Sequence, residues 1–125
     1  MPLDTTSGLQ QVFGTAIGTI LNSRGEQDVL SGGVASGTIA NAFGEQVVSS
    51  GGTAIGTSAG SSGEQLVSSS GIASGTTLSG AFSTEFVFSG GNDVGAIVNS
   101  GGDQLVFGGT ATGTTITAAA CRKFS

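Results

Sequence analysis

Residues 44–62, GEQVVSSGGTAIGTSAGSS, are one unit of a repeat with a 19-residue period. Superposed on Gly44, the preceding copy opens at Gly25 as GEQDVLSGGVASGTIANAF, and the following one opens at Gly63 as GEQLVSSSGIASGTTLSGAF. Self-similarity at a short fixed period means that each unit is one module stacked on the next. Ordering the 19 residues of a unit costs about 28 kcal/mol at ~1.5 kcal/mol each, whereas burying ~1,000 Å² of apolar surface returns about 25 kcal/mol. One unit cannot fold alone, and neighbouring units must supply the missing burial and backbone partners.

The flanking sequence is the same unit with small edits. A first copy, GLQQVFGTAIGTIL, starts at Gly8 and is two residues short at its first turn. The fifth, STEFVFSGGNDVGAIV, starts at Ser83 after one inserted residue, and the sixth, GDQLVFGGTATGTTI, starts at Gly102 with one turn residue lost. Residues 1–7 form an N-terminal lead-in, 8–116 hold the six repeats, and 117–125, ending TAAACRKFS, are a tail in which no further copy is legible.

Columns read down the six copies separate inward from outward positions, because a stacked site meets the same surroundings on every turn. One column is Val throughout: Val12, Val29, Val48, Val67, Val87 and Val106. Two residues earlier stand Gln10, Gln27, Gln46, Gln65, Glu85 and Gln104. After the Gly-rich turn come Ala16, Ala35, Ala54, Ala73, Asp93 and Ala111, then Thr19, Thr38, Thr57, Thr76, Ala96 and Thr114, then Leu21, Ala40, Ala59, Leu78, Val98 and Ile116. The position before the Val varies freely (Gln11, Asp28, Val47, Leu66, Phe86, Leu105), as a solvent face does.

Q-x-V and T-x-aliphatic are strand periodicity of two, broken by turns, and not the 3.6-residue period of a helix. Gly and Ser between the segments supply positive φ and tight turns. The expected fold is all-β: a single-stranded, right-handed parallel β-helix (β-solenoid) of about six coils of ~19 residues. Each coil would hold two or three short strands, and six steps of ~4.8 Å would make a rod about 29 Å long.

Composition excludes several functions. With 24 Gly, one Pro, 9% charged and 37% hydrophobic residues, the chain is neither disordered nor collagen-like. The net charge of −5 with three basic residues argues against nucleic acid as a partner. No apolar run approaches the length that crosses a bilayer, so membrane insertion by this chain is not expected. The start, MPLDTTSGL, lacks the basic and apolar regions of a secretory signal. A single cysteine, Cys121, forms no internal disulfide, and beside Arg122 and Lys123 in the tail it reads as incidental. The absence of His removes the usual general base and the commonest metal ligand.

GEQxVxSGGxAxGT at this period, over about residues 8–116, resembles the AIDA-type repeat passenger domain of self-associating autotransporter adhesins. The resemblance implies a right-handed β-helical passenger at the outer membrane and cell surface, or secreted. It also implies adhesion, autoaggregation and biofilm formation, with O-linked heptose added to repeat Ser or Thr by a dedicated glycosyltransferase. The chain departs from the family in showing neither a signal peptide nor a C-terminal membrane barrel, so export would belong to a parent protein. The partners implied are further copies, end to end or lateral, a glycosyltransferase, and a host-cell or bacterial surface receptor.

Candidate O-glycosylation sites are the turn residues Ser49, Ser50, Ser68, Ser69 and Ser70. The acidic column Glu26, Glu45, Glu64 and Asp103 offers one carboxylate per coil, lacks the calcium nonapeptide, and reads as a solvated, mutually repelling row. Asp93 replaces the small inward Ala of its column, and a local turn that swings Asn92 and Asp93 outward would spare a buried charge. Paired with Glu85, it is the basis for an alternative reading as a polysaccharide-acting β-helix enzyme. The Thr column raises an ice-binding alternative, but it alternates with an aliphatic column. Its hydroxyls are therefore expected inside, bonded to backbone or to one another. The Gln column is expected to hydrogen-bond from coil to coil. No catalytic residue, metal or cofactor is assigned.

Overall fold

The computed structural model describes residues 4–6, 8–117 and 121–124. Twenty short strands, β1 to β20 in chain order, fall into three parallel sheets that run the length of a β-solenoid of about six turns. The first sheet stacks β2 (Leu9–Val12), β5 (Glu26–Val29), β8 (Glu45–Val48), β11 (Glu64–Val67), β14 (Ser83–Phe88), β17 (Gly102–Phe107) and β20 (Cys121–Phe124). The second stacks β3 (Thr15–Ile17), β6 (Val34–Ser36), β9 (Thr53–Ile55), β12 (Ile72–Ser74), β15 (Asn92–Val94) and β18 (Thr110–Thr112). The third stacks β1 (Asp4–Thr6), β4 (Ile20–Asn22), β7 (Ile39–Ala40), β10 (Ser58–Ala59), β13 (Thr77–Leu78), β16 (Ile97–Val98) and β19 (Thr115–Ile116). A coil therefore contributes three strands, one to each face.

Period-two alternation decides which side chains go inside. Strands β5, β8 and β11 bury every second residue, so Gln27 and Val29, Gln46 and Val48, and Gln65 and Val67 point into the bore. The registers Val29↔Val48, Val48↔Val67 and Val67↔Val87 place identical side chains over one another. The Val and Ala columns close one half of the core, and Ala59, Leu78 and Val98 the other.

Three corners join the strands. At one, residues 49–52 form a turn in which the Gly52 N–H donates to the Ser49 carbonyl at 2.9 Å, with Ser50 and Gly51 at φ of 51° and 83°. Positive φ at both central residues is the type I′ pattern. Gly52 itself is required by crowding: a Cβ there would lie 2.1 Å from the Val29 carbonyl oxygen of the coil before. A second corner repeats the same turn at residues 22–25 and 41–44. The third is a single left-handed glycine, as at Gly56 with φ 67°.

Irregularities are absorbed at corners, not in strands. The residue inserted before coil five widens the bend at residues 80–82, where Gly80 and Phe82 take φ of 103° and 64°. Beyond it the register resumes one residue later, as Gln65↔Glu85. The flanking segments also pair: β1 lies beside β4, and β20 lies in parallel beside β17, with Cys121 opposite Asp103. The tail thus holds a strand that the repeat pattern did not reveal, and Cys121 sits within it. Over the last strands of the other two faces nothing stacks among the described residues, and inward Ile116 is left 43% exposed.

Candidate functional site

The bore holds a continuous polar ladder. Gln46 Nε2 donates to Gln27 Oε1 at 2.8 Å, Gln65 Nε2 to Gln46 Oε1 at 2.6 Å, and Gln27 Nε2 to Gln10 Oε1 at 2.7 Å. Each carbonyl also accepts the hydroxyl of the Thr in its own coil: Thr38 to Gln27, Thr57 to Gln46 and Thr76 to Gln65, at 2.8–2.9 Å. The threonines are buried, so they do not form an outward rank that could face ice. Their partner differs from expectation: the hydroxyls bond to glutamine and not to backbone or one another. A Gln Oε1 with two lone pairs serves one amide and one hydroxyl, as Gln27 and Gln46 do.

Coil five changes three columns together. Gln becomes Glu85, Ala becomes Asp93, and Thr becomes Ala96, and all three are fully buried. The expectation that Asp93 turns outward fails, because Asp93 is locked in register between Ala73 and Ala111 by pairing of β15 on both sides. Rotating it out would break both ladders. Its carboxylate is instead accommodated by the next coil, where Gln104 Nε2 donates to Asp93 Oδ2 at 2.9 Å and to Glu85 Oε1 at 2.7 Å. Burial, the neighbouring Asp93 charge and a hydrogen bond to Asp93 push the Glu85 carboxyl well above its ordinary range, against hydrogen bonds from Gln104 and Thr76. The pair is sealed inside the rod, not set in a cleft.

On the surface, the five candidate serines cluster at one corner. Ser50, Ser69 and Ser70 are exposed, and Ser49 and Ser68 half-buried. Ser50, Ser69 and Ser70 hold left-handed φ of 51°, 46° and 71°, so the hydroxyl-bearing carbons stand at the tip of the turn. The corner is itself laddered: Ser31 N–H donates to the Ser50 carbonyl, Ser50 N–H to Ser69, and Ser69 N–H to Ser89, at 2.9, 2.8 and 3.2 Å. Ser31 and Ser89 therefore belong to the same exposed rank as Ser50 and Ser69. Column alignment could have found them, since they occupy the equivalent turn position in copies two and five.

The acidic column runs beside another corner. Glu26, Glu45 and Glu64 stand in register on the outer side of the first sheet. Partial burial pushes the Glu45 carboxyl up to about 7, aided by a hydrogen bond to Glu26 and the charges of Glu26, Glu64 and Asp28. The Arg24 guanidinium lies 5.6 Å from the Phe43 ring centre, and both border a cavity of about 450 Å³ with Leu9, Glu26, Glu45 and Glu64. Phe43, Ser62, Glu64, Phe82 and Thr84 line a second of about 470 Å³. Among the described residues no group of three or more carboxylates or thiols converges as a metal site would require.

Among the described side chains, outward charge is confined to one side of the rod. Outward acids Glu26, Asp28, Glu45, Glu64 and Asp103 all lie on the first sheet, and Arg24 on the corner before it. Among the described side chains, neither the second nor the third sheet carries an outward charged residue. Those two faces show Ile17, Ile55, Ile72, Val94, Ile39 and Ile97 at 39–55% exposure.

No family model and no curated protein sequence matches the chain. Among solved structures, it is similar to the crystal structure of a TibC-catalyzed hyper-glycosylated TibA fragment, with a TM-score of 0.90 and 40% sequence identity. That likeness covers 97% of this chain and 44% of that one, so the chain spans less than half the length of the protein it matches. With the same coils carried at this identity through almost the whole chain, it takes its place among the AIDA-type β-solenoids of autotransporter adhesins.

Proposed function

We propose that this chain is an adhesive and structural segment of a bacterial surface passenger, non-enzymatic, whose lateral surface accepts O-linked sugar. The observation that carries the reading is the rank of turn serines, Ser31, Ser50, Ser69 and Ser89, on a backbone similar to that of a TibA fragment hyper-glycosylated by TibC. Ser49, Ser68 and Ser70 stand in the same turns. A hydroxyl at such a tip can enter a transferase without unstacking a coil. Burial of Glu85 and Asp93 away from both surface cavities supports a role other than hydrolysis. Co-expression with a family heptosyltransferase should add mass in steps of one heptose. Replacement of the seven turn serines by Ala should remove those steps, and an unmodified parent chain beside an active enzyme defeats the acceptor reading.

Charge segregation supports lateral self-association as the basis of autoaggregation and biofilm formation. Two copies of a −5 chain that meet through their second and third sheets keep their acidic faces apart, beyond the ~8 Å screening length of physiological salt. Ile55→Lys on the second sheet should lower the association measured by sedimentation, and Leu66→Lys on the first sheet should not. Filaments one rod wide in negative-stain images would instead mean end-to-end contact.

A further inference from the structure

The three coincident replacements in coil five have a common physical meaning. In regular coils the position that Glu85 occupies gives an N–H to the coil before and a carbonyl to the coil after, as Gln46 does between Gln27 and Gln65. Glu85 keeps the carbonyl function, accepting from Gln104 at 2.7 Å, but as a carboxylate it has no hydrogen to give. Asp93 puts a second carboxyl into the same rung, and Ala96 withdraws the hydroxyl that would have served it. With both groups ionised, the Glu85 Oε2 atom is buried without a hydrogen-bond partner. Two carboxylates this close in a dry core cannot both carry charge at ordinary cost. One proton resolves the rung: a protonated carboxyl donates to its neighbour, and the Gln104 amide spans the oxygens left over.

We propose that Glu85 and Asp93 hold a single proton between them and so make coil five a proton-dependent clasp within the rod. Among the described side chains packed around the pair, none carries a positive charge. On the neighbouring strands β11, β12, β17 and β18 the side chains directed inward are Gln65, Val67, Ala73, Gln104, Val106 and Ala111, and the corner residue Thr76 is neutral. Arg122 stands in register with Gln104 one coil further on. The carboxylates of Glu64 and Asp103 belong to outward positions of the first sheet, across the wall from the pair. When the proton leaves to solvent, two negative charges remain against a single neutral amide group, which gives one N–H to each. The sign follows: a carboxyl that prefers its protonated form in the fold contributes stability that is complete below the ordinary carboxylate range. That stability is lost as pH rises.

The test is reversible unfolding of the whole chain and of Glu85→Gln across pH, both carrying Glu45→Gln to remove the surface carboxyl that titrates at about 7, with Asp28 common to both. Gln is the residue that regular coils use, and its amide donates at any pH. The two chains should melt alike near about pH 4 and diverge steadily toward about pH 8, with Glu85→Gln the more stable. A difference that stays constant with pH, or parent stability that rises with pH, overturns the proposal. Infrared spectra of the folded parent decide independently, even if the variant does not fold. At about pH 8 a protonated-carboxyl C=O band should be present, and its absence would show that both groups are ionised.

Discussion

Gln46 and Gln27, 19 residues apart, are joined by an amide hydrogen bond of 2.8 Å in the centre of the rod. The same Gln46 carbonyl accepts both Thr57 and Gln65. Truncating Gln46 to Ala therefore leaves a buried hydroxyl and a buried amide without an acceptor. At about 1–3 kcal/mol for each orphaned group, the expected loss in denaturant unfolding is about 2–6 kcal/mol. Ser58→Ala, on an outward position of the same coil, should stay within about 0.5 kcal/mol.

Val48 and Val47 are adjacent in sequence and on opposite sides of the wall, one fully buried and one half-exposed. Val48→Asp places an unpaired charge in the apolar column and should cost about 4 kcal/mol or more, enough to unfold the middle of the rod. Val47→Asp adds a like charge beside Asp28, its register partner, and should cost about 1 kcal/mol or less. Melting curves that coincide would contradict the assignment of the two faces.

Glycines at one corner differ in what they tolerate. Gly52→Ala drives a methyl carbon against the Val29 carbonyl and should destabilise by about 2–4 kcal/mol. Gly32, with φ of 80° and nothing within 4 Å, has room but a left-handed backbone. Asn adopts that conformation readily, so Gly32→Asn should cost less than about 1 kcal/mol. Equal losses in the two variants would mean that conformation, not crowding, sets the requirement at Gly52.

Glu45 gives the rod a second pH dependence. Its carboxyl is raised from 4.5 to about 7 in the fold, so its contribution is complete below about 4.5 and is lost as pH rises to about 7. Asp28, raised by burial and by Glu26, acts in the same direction. Stability should therefore fall across that window, and Glu45→Gln should flatten the fall. A chain that becomes more stable from acid to neutral pH would refute this.

Much of the fold was legible because stacking makes each column of the sequence an experiment repeated six times. The Val, Gln and Thr columns could be placed inside from constancy alone, and they are buried there except Thr114 in the final coil, which is half-buried. Asp93 was misjudged because the rule against buried charge was applied to one residue. The simultaneous changes at Glu85 and Ala96, which create its environment, were not weighed with it. The strands β1 and β20 escaped detection because backbone pairing needs no repeat motif, only an extended segment beside an open edge. Ser31 and Ser89 were passed over because attention went to serine runs, whereas the corner is defined by backbone position. The confinement of charge to one side becomes visible only once three strands per coil are known.

The closed 19-residue step from Gln27 to Gln46 to Gln65 also bears on how such a chain changes over generations. Unequal exchange between neighbouring copies deletes or duplicates a whole number of coils, and the new junction again sets Gln over Gln and Gly beneath a Val carbonyl. Rod length can thus drift without damage to folding, while outward residues are rewritten freely. Coil five stands apart from this exchange: its acids occupy columns that are neutral elsewhere, and its widened corner lengthens the step by one residue. It serves as a fixed landmark in an otherwise interchangeable series.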